Sequence, residues 1–579
     1  MIFRHLHSTS NLTNRIIVVL MVLWILTSFA ALVGMYHLWW TRERVLYMGK
    51  PVDDQRVAIF QIAGLPQETL VLAKKMDVAW PSGIAYGVAG SEVHLSYLKY
   101  FLLPRIPSGS IDYRLDENKN GYSFSPEGER NHAGLPFSTL WPTPQGFILS
   151  AAVLLLVAMG LGRFGLSVPE GGLCAALLLA ILSVLAKGLF HSIDTAGWVM
   201  VFLATASAFI VWRRRCHPVI CKTFENRNVS ISSAAILIIS ISVLWSFLMA
   251  VVVGPDDWDA WAQWGPKAKI LALSGGSLSS VAYFVPGSGD YPLLWPSVWA
   301  FSGWCAGGWE EQWSKAWGPL FLLLTAWQIG VLSFRFSGRC DVSCITAALF
   351  VSMPAVPLVA SWAYAESPLW LSLVCATGRM LLWQQSKKRV DLLLAGLFAA
   401  AAACTKNEGA LFIVLSSLWI MLNSHRIRDL LPFLLPSLLT YGMWRAYTLI
   451  SMDVSNRAIK ALESMDWIGN QWFDVLSAAG NHVLHIWVDV RQWNIVLPTL
   501  FLIAGWLLFR GLRRDRLNLL LPITFFAGLF VVVLSHGSDW SWQLGVAWNR
   551  LTIQGMVVLI PILICGLSRR WIQKDRVAS

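Results

Sequence analysis

Three carboxylates and two lysines stand among three tryptophans in GPDDWDAWAQWGPKAK, residues 254–269, directly after a long apolar run. Asp256, Asp257 and Asp259 are close enough in sequence to repel one another, and repulsion favours the protonated form of one of them. Such a group suits a general base that takes a proton from a hydroxyl. The simpler alternative is a polar cluster that only ends the apolar run.

The chain then continues with further polar groups. WDAWAQWGPKAKI has the pattern of an amphipathic, tryptophan-lined helix lying on the membrane. It places Lys267 and Lys269 within three helical turns of the acids, where they suit binding of an anion. SGDYPLLWP, residues 288–296, returns the chain to the membrane with Asp290 and Tyr291 at the edge.

Other ionisable residues stand at the ends of apolar runs. Glu366 lies in SWAYAESPLW, Lys406 and Glu408 lie in AAACTKNEGALF, and Arg550 lies in VAWNRLTIQ. Each could simply reach the interface or end a helix, but the polar groups of the Lys-Asn-Glu-Gly run need partners. Together with Lys267 or Lys269, the cations Lys406 and Arg550 could bind a phosphate whose lipid tail stays in the bilayer.

The composition places these residues in a polytopic membrane protein. Of 579 residues, 56% are hydrophobic and 13% are charged, whereas soluble domains are typically about 45–50% apolar and about 25% charged; the mean hydropathy is +0.56. Because a span needs roughly 20 apolar residues, the sequence predicts about fourteen: 16–36, 146–162, 170–190, 197–212, 231–253, 315–334, 343–361, 367–385, 390–404, 409–423, 430–450, 494–510, 517–535 and 551–568. The short pair joined by CTKNEG could instead be a re-entrant pair.

Basic runs set the expected orientation. RRRCHPVICK, RGLRRDR and RRWIQKDR fall in alternate loops, so the positive-inside rule places these loops and both termini in the cytoplasm. The formal net charge of +12 is explained by this excess, and no nucleic-acid partner is expected. The motifs above then face outward from an inner (plasma) membrane, with residues 254–314 as an outer loop.

Four regions follow from this layout: an N-terminal membrane anchor (1–40), a small α/β extracytoplasmic domain (41–145), accessory helices with a cytoplasmic loop (146–230), and the main module (231–579). Within the second region, DENKNGYSFSPE matches a calcium-loop pattern. Its flanks are not helical, which favours a solvated turn. No set of ligands in the sequence indicates a structural metal.

The layout resembles that of integral-membrane GT-C glycosyltransferases, the superfamily of protein O-mannosyltransferases and of bacterial enzymes that transfer aminoarabinose to lipid A. The motifs that carry the resemblance cover roughly 231–568 and read WDAWAQWGPKAK, DYPLLWP, YAESPLW, TKNEGALF and NRLTIQ. The resemblance implies a polyprenyl-phosphate sugar as donor. It also implies attack on the anomeric carbon with inversion, which leaves a lipid phosphate. A divalent metal is compatible with this chemistry.

Two departures from the family pattern bear on the site. Four spans and an outer domain precede the acidic loop here, whereas better-known members place that loop after the first span. The usual acidic pair is Asp-Glu, whereas this chain reads Asp-Asp-Trp-Asp. We therefore expect the base to be Asp257 or Asp259, with Asp256 as the next choice.

Two other classes stay open. A transporter or flippase of a lipid-linked sugar predicts ionisable groups near the bilayer midplane and two related halves. A non-catalytic membrane subunit would keep the outer domain but would not need the acids and lysines. The sequence contains 32 tryptophans, which form an interfacial belt or a stacking surface for sugar rings. The sugar and the acceptor, whether glycan, lipid or protein, are not indicated.

Overall fold

The computed structural model describes most of the chain from residue 144 onward and parts of the preceding segment. The described residues are 24, 26–28, 30, 34, 86–88, 113–118, 121–126, 144–190, 192–213, 229–252, 259–272, 278, 289–307, 312–424, 426–451, 472–535 and 540–578.

Helices account for nearly all of the described chain after residue 144. They are α1 (Gln145–Leu161), α2 (Val168–Phe190), α3 (Asp194–Arg213), α4 (Val229–Val252), α5 (Gly265–Ala272), α6 (Leu294–Ala306), α7 (Trp317–Ser337), α8 (Cys340–Val351), α9 (Ala355–Ser361), α10 (Glu366–Ser386), α11 (Arg389–Ala403), α12 (Glu408–Ser424), α13 (Leu430–Ser451), α14 (Trp472–Val488), α15 (Val490–Trp493), α16 (Val496–Arg510), α17 (Arg513–Leu534) and α18 (Trp540–Ala578).

The helices have the lengths and composition of a polytopic membrane protein. A helix, or the bent pair α8–α9, covers each predicted span from 146 onward. Within the described chain, seven helices are long and apolar enough to cross a membrane, or eight if α8 and α9, bent by 67°, form one span. Helices α11, α12 and α16 have 15, 17 and 15 residues, fewer than the roughly 20 that a span needs. The count of fourteen spans therefore stays a prediction.

The segment before residue 144 contains three short strands, β1 (Tyr86–Val88), β2 (Tyr113–Asn118) and β3 (Gly121–Pro126). Strand β1 pairs parallel with β2, and β2 pairs antiparallel with β3, with Asn118 opposite Gly121. The calcium-loop motif thus begins inside a strand, unlike the helix–loop–helix of an EF-hand. The rest of the predicted α/β domain lies outside the described residues, so the domain stays a prediction.

Helix α10 lies at the centre of the bundle. Nearly all of its residues are buried, and it packs against α7, α11 and α18. A helix buried on all sides is normally apolar throughout, but α10 begins with Glu366 and carries Arg379 in its interior.

The predicted N-terminal anchor and the accessory helices join the same core. Trp24 and Ser28 are buried; the Trp24 indole donates to Ser352 Oγ at 3.0 Å, and the Asn494 amide donates to Ser28 Oγ at 2.9 Å. Helices α1 and α2 pack against α6. Helix α6 falls in the predicted outer loop 254–314, yet ten of its residues, from Leu294 to Gly303, are buried.

Arg379 anchors a buried ion network, the Arg379 network, that ties α2 to α10 and α11. Its Nε and Nη2 atoms donate to the two carboxylate oxygens of Glu170 at 2.6 and 2.7 Å. Its Nη1 donates to Asp391 Oδ1 at 3.1 Å, and Nη2 also donates to the Gly165 carbonyl at 3.1 Å. The second oxygen of Asp391 accepts from the Ser386 hydroxyl at 2.9 Å.

Candidate functional site

Five charged side chains from separate parts of the chain meet at the end of the bundle where α10 and α12 begin; we call them the acidic cluster: Asp259, Glu366, Lys406, Glu408 and Arg550. Arg550 Nη1 lies 2.5 Å from Asp259 Oδ2 and 3.5 Å from Glu366 Oε1. Lys406 Nζ lies 2.9 Å from Glu366 Oε1 and 3.0 Å from Glu408 Oε1. One oxygen of Glu366 therefore holds both cations.

The turn between α11 and α12 positions Lys406. Helix α11 ends at Ala403, and the Cys404 carbonyl accepts from the Leu294 amide of α6 at 3.0 Å, which fixes the turn against the core. Gly409 allows the tight return, because a Cβ there would collide with the backbone of Ala402 and the following residue. The chain can thus place Lys406 and Glu408 on the same side of one short bend.

Asp259 precedes a π-helical turn, Ala260–Trp264, which leads into α5. Its Oδ1 accepts from the Gln263 amide at 3.2 Å, while Oδ2 pairs with Arg550. The Arg550 guanidinium in turn lies over the Tyr364 ring, 4.8 Å from the centroid, a cation–π arrangement that adds to its fixation. Asp256 and Asp257 lie outside the described residues, so their places as candidate bases stay predictions.

A second polar group, the Asp290 cluster, adjoins the first through the Lys406–Glu408 bend. The Asn407 amide donates to Asp290 Oδ2 at 2.8 Å, and Arg445 Nη1 lies 3.8 Å from the same oxygen. The Tyr441 hydroxyl donates to Asn407 Oδ1 at 3.3 Å, and the Trp444 indole donates to the Asp290 carbonyl at 2.9 Å. Asn407 therefore joins two clusters that the sequence analysis treated as separate motifs.

The two lysines of α5 are buried. The exposed fractions of Lys267 and Lys269 are 0% and 2%, which differs from the predicted helix lying on the membrane. Lys267 Nζ donates to the Tyr291 carbonyl at 3.1 Å and lies 5.4 Å from the Trp264 ring centroid and 5.6 Å from that of Tyr291. Burial lowers the pKa of Lys267 to about 7, against the charge of Asp290, which raises it.

Most of the described tryptophans between residues 254 and 317 pack into the core. Trp264, Trp295, Trp299 and Trp317 are buried, and the Trp295 indole donates to the Ala363 carbonyl at 3.1 Å. These four rings are part of the core. They therefore form neither an interfacial belt nor a stacking surface for sugar rings.

The acidic cluster carries more negative than positive charge. It contains three carboxylates and two cations, so the formal balance is one negative charge. Burial alone would lower the pKa of Lys406, but the carboxylates of Glu366 and Glu408 outweigh it and hold the pKa above its ordinary value. Lys406 is therefore charged throughout the physiological pH range. In the Asp290 cluster, Arg445 faces one carboxylate, that of Asp290, so these two charges balance.

Several polar atoms of these clusters have no hydrogen-bond partner among the described residues. They are buried and belong to charged groups: Glu366 Oε2, Glu408 Oε2, Arg445 Nη1 and Arg550 Nε. An unsatisfied buried donor or acceptor costs about 1–3 kcal/mol, and more when it is charged. Four such atoms in two adjoining clusters are hydrogen-bonding capacity that the described residues leave unused and that a polar ligand could satisfy.

An apolar groove of about 450 Å³ lies along α18. Its walls come from α14, α17 and α18 and include Val483, Trp487, Phe526 and Trp548. Trp548 lies two residues before Arg550, and the Trp487 indole donates to Thr552 Oγ1 at 3.0 Å. A charged cluster and an apolar groove thus share one stretch of α18.

No group of three or more histidine, cysteine or acidic side chains in the described part of the chain has the geometry to hold a metal ion. The compatibility of the site with a divalent metal stays a prediction, because the neighbouring Asp256 and Asp257 lie outside the described residues.

The structure brings together most of the residues that the sequence singled out. Asp259, Glu366, Lys406, Glu408 and Arg550 form one cluster; Asp290 and Tyr291 stand beside it with Lys267. The sequence analysis missed Asn407, Tyr441, Trp444 and Arg445. A signal existed for Arg445, because a cation inside the apolar run of α13 is unusual.

No protein-family profile, no curated protein and no solved structure matches the chain significantly. The resemblance to GT-C enzymes therefore rests on the sequence motifs alone, and membership of a family is not shown.

Proposed function

We propose that the chain is a membrane glycosyltransferase that moves a sugar from a polyprenyl-phosphate donor to an acceptor at the extracytoplasmic face. The observation that carries the proposal is the acidic cluster: charged side chains from four separate segments meet, buried or partly buried, at the beginning of α10, and some of their polar atoms lack partners among the described residues. Ionisable groups inside a membrane protein are costly to bury, and those with unused polar atoms are candidates for a functional site.

The chemistry requires a base and a stabilised leaving group. An acceptor hydroxyl attacks the anomeric carbon, the bond from that carbon to the phosphate oxygen breaks, and the configuration inverts. The hydroxyl proton passes to a carboxylate, for which Asp259 is the described candidate and Asp256 and Asp257 are its neighbours. Charge accumulates on the departing phosphate, where positioned cations lower the barrier most.

The arrangement of the cations indicates how they would act. Arg550 keeps its Nε atom without a hydrogen-bond partner among the described residues, so a phosphate oxygen could bind there while Nη1 stays with Asp259. Lys406 lies between two carboxylates, and its proposed role is to offset their negative charge so that the cluster repels the phosphate less. Lys267 is covered by Trp264 and Tyr291, so its proposed role is to hold the Asp290–Tyr291 turn in place.

The apolar groove supports a donor with a long hydrocarbon tail. Its lining includes Trp548 of α18, two residues before Arg550 in the chain, and apolar walls of this kind accommodate isoprenoid chains through burial of apolar surface. The proposal includes the predicted topology: about fourteen spans in an inner membrane, both termini in the cytoplasm, the catalytic module at 231–579 and the acidic cluster facing outward.

The test is sugar transfer by the purified full-length protein in lipid nanodiscs. Radiolabelled polyprenyl-phosphate sugars are offered with an envelope fraction that supplies acceptors. Asp259→Asn removes a candidate base without a change of size, and Asp489→Asn, which alters a carboxylate paired with Arg491 on the same predicted face, is the matched control.

We expect label transfer by the wild type and by Asp489→Asn. Loss of transfer with retained donor binding in Asp259→Asn would identify Asp259 as the base. If only Asp257→Asn or Asp256→Asn loses transfer, the enzyme proposal stands and the base is a neighbour. Donor binding without any transfer by the wild type would contradict the enzyme proposal and favour a transporter.

A further inference from the structure

A second set of charged residues lies at the opposite end of the bundle. Arg550 and Arg569 are nineteen residues apart on the continuous helix α18, which corresponds to about 28 Å along a helix axis. This is close to the thickness of a bilayer's hydrocarbon core. Arg569 therefore lies near the other membrane surface, where α17 begins and α16 ends.

Of the described arginines at this end, we call Arg514, Arg569 and Arg570 the arginine group, and the carboxylate of Asp515 is paired with it. Arg569 Nη1 lies 3.2 Å from Asp515 Oδ1. Asp515 is buried and also accepts from the Leu512 amide at 3.2 Å. The positive charges of Arg514 and Arg569 repel each other. One carboxylate cannot neutralise three cations, so the arginine group carries an excess of positive charge.

The arginine group does not resemble an ordinary basic loop that extends into water. Arg514 donates to the Gln384 carbonyl and Arg570 donates to the Arg510 carbonyl, so both side chains are held against the bundle. The Nε atoms of Arg569 and Arg570 are buried and have no hydrogen-bond partner in the described structure. Fixed guanidinium groups with unused donors are suited to an anion with several acceptor oxygens.

The surface beside the arginine group is apolar. The Arg570 guanidinium lies 4.3 Å from the ring centroid of Trp506, which is 44% exposed, and Phe509 on the same helix is 77% exposed. An exposed tryptophan under a cation is typical of the membrane interface. An anion that binds here therefore has a lipid-facing surface within reach of any attached chains.

We propose that the arginine group binds the phosphate of an anionic phospholipid, whose acyl chains lie along the Trp506–Phe509 face of α16. The phosphate pairs with the guanidinium groups of Arg569 and Arg570, whose Nε donors have no partner in the described structure, and its negative charge offsets the repulsion between Arg514 and Arg569. This site is separate from the acidic cluster and does not depend on the proposed transfer reaction.

The test uses the full-length protein in nanodiscs of phosphatidylcholine alone or of phosphatidylcholine with phosphatidylglycerol in equal amounts. Native mass spectrometry measures retained phosphatidylglycerol as its share is increased. The variants are Arg569→Gln and Arg570→Gln, and Arg516→Gln is the matched control, because exposed Arg516 lies on the same end and donates to the Phe509 carbonyl at 3.2 Å.

We expect selective retention of phosphatidylglycerol by the wild type. The apparent affinity should fall about tenfold in Arg569→Gln and in Arg570→Gln, as expected for loss of a charge-assisted hydrogen bond, and about twofold in Arg516→Gln, whose charge is screened by solvent. Each variant is first shown to be monodisperse. Equal losses in all three variants would overturn the proposal in favour of a diffuse charge effect.

A soluble competitor separates lipid from free phosphate. Glycerophosphoglycerol, the deacylated form of phosphatidylglycerol, carries the same phosphodiester without acyl chains, and the proposal expects it to displace phosphatidylglycerol weakly. Displacement at a similar concentration would show that the chains contribute nothing, which would overturn the assignment to a lipid.

Discussion

Helix α10 carries two buried ionic networks that differ in how completely their charges are paired. At its first residue, Glu366 holds Lys406 and Arg550, yet Glu366 Oε2 and Arg550 Nε lack partners among the described residues. Thirteen residues later, Arg379 donates to Glu170, to Asp391 and to a backbone carbonyl, and both oxygens of Glu170 are occupied.

The difference separates structural from functional use of buried charge. A completely paired network fixes the relative position of helices, as the Arg379 network does for α2, α10 and α11, and it offers no site to a ligand. A network with unused donors and acceptors is less favourable by itself and becomes favourable when a polar ligand completes it. The comparison therefore predicts that substitutions in the two networks affect different measurements.

The largest effect is expected in the Arg379 network. Arg379→Met leaves Glu170 buried without its partner, which should lower the free energy of unfolding by about 3–5 kcal/mol. Thermal unfolding of the purified protein measures this. Arg339→Met removes an ion pair with Asp341 that is half exposed on the arginine side, and it should cost less than about 1 kcal/mol. Similar losses in both variants would contradict a structural role for the buried network.

Glu366→Gln should act on transfer rather than on folding. Lys406 keeps Glu408 and Arg550 keeps Asp259 as partners, so we expect a small change in melting temperature. The transfer rate should fall by about 10²–10³-fold, the range found when one preorganised electrostatic contact is lost. Glu408→Gln leaves the contacts of Glu366 with Lys406 and Arg550 intact, so the transfer rate should fall less. If the Glu366→Gln protein fails to fold, Glu366 has a structural role like that of Arg379 instead.

Gly409→Ala tests the bend that serves both clusters. The added Cβ collides with the backbone at Ala402, so the free energy of unfolding should fall by about 1–3 kcal/mol and transfer should weaken as Lys406 moves. Gly442→Ala in α13 is the control, because a Cβ there meets nothing within 4 Å; it should leave stability equal or higher by up to about 1 kcal/mol. Equal effects of the two variants would argue against a constrained bend.

The last prediction is a pH dependence and concerns Lys267. Its pKa is lowered from 10.5 to about 7 by burial, so between these values the unfolded chain binds a proton that the folded chain does not. The free energy of unfolding should therefore rise with pH across this window, by roughly 1 kcal/mol per pH unit. Lys267→Met removes the titration. Between pH 7 and pH 9, the free energy of unfolding should rise more in the wild type than in the variant. An equal change in both proteins would contradict the lowered pKa of Lys267.

Much of the bundle could be predicted from apolar runs, because membrane spans must satisfy every backbone hydrogen bond within the helix. The clustering of Glu366, Lys406 and Arg550 followed from their positions at span ends on one predicted face. Their pairing did not, since it depends on how neighbouring helices are rotated and packed. The burial of α6 and of Lys267 was missed because the charge pattern of a short amphipathic stretch does not reveal what covers it.

The contacts of the Asp290 cluster were also not predictable from the sequence. Asn407 was noted only as part of a motif, and Tyr441, Trp444 and Arg445 lie on a helix that the sequence indicates only as a span. As a cation in an apolar run, Arg445 gave a signal that was not used, and its partner Asp290 is more than a hundred residues earlier in the chain. Such a contact is set by tertiary packing alone.

The groove between α14, α17 and α18 has a kinetic consequence. Its walls are apolar, and Leu484 at the groove is 57% exposed, so a ligand with a hydrocarbon tail reaches it by lateral diffusion within the leaflet. The relevant concentration is then the ligand's mole fraction among lipids, and the search takes place in two dimensions. Diluting the ligand with other lipids should slow its capture, whereas diluting the membranes in buffer should not.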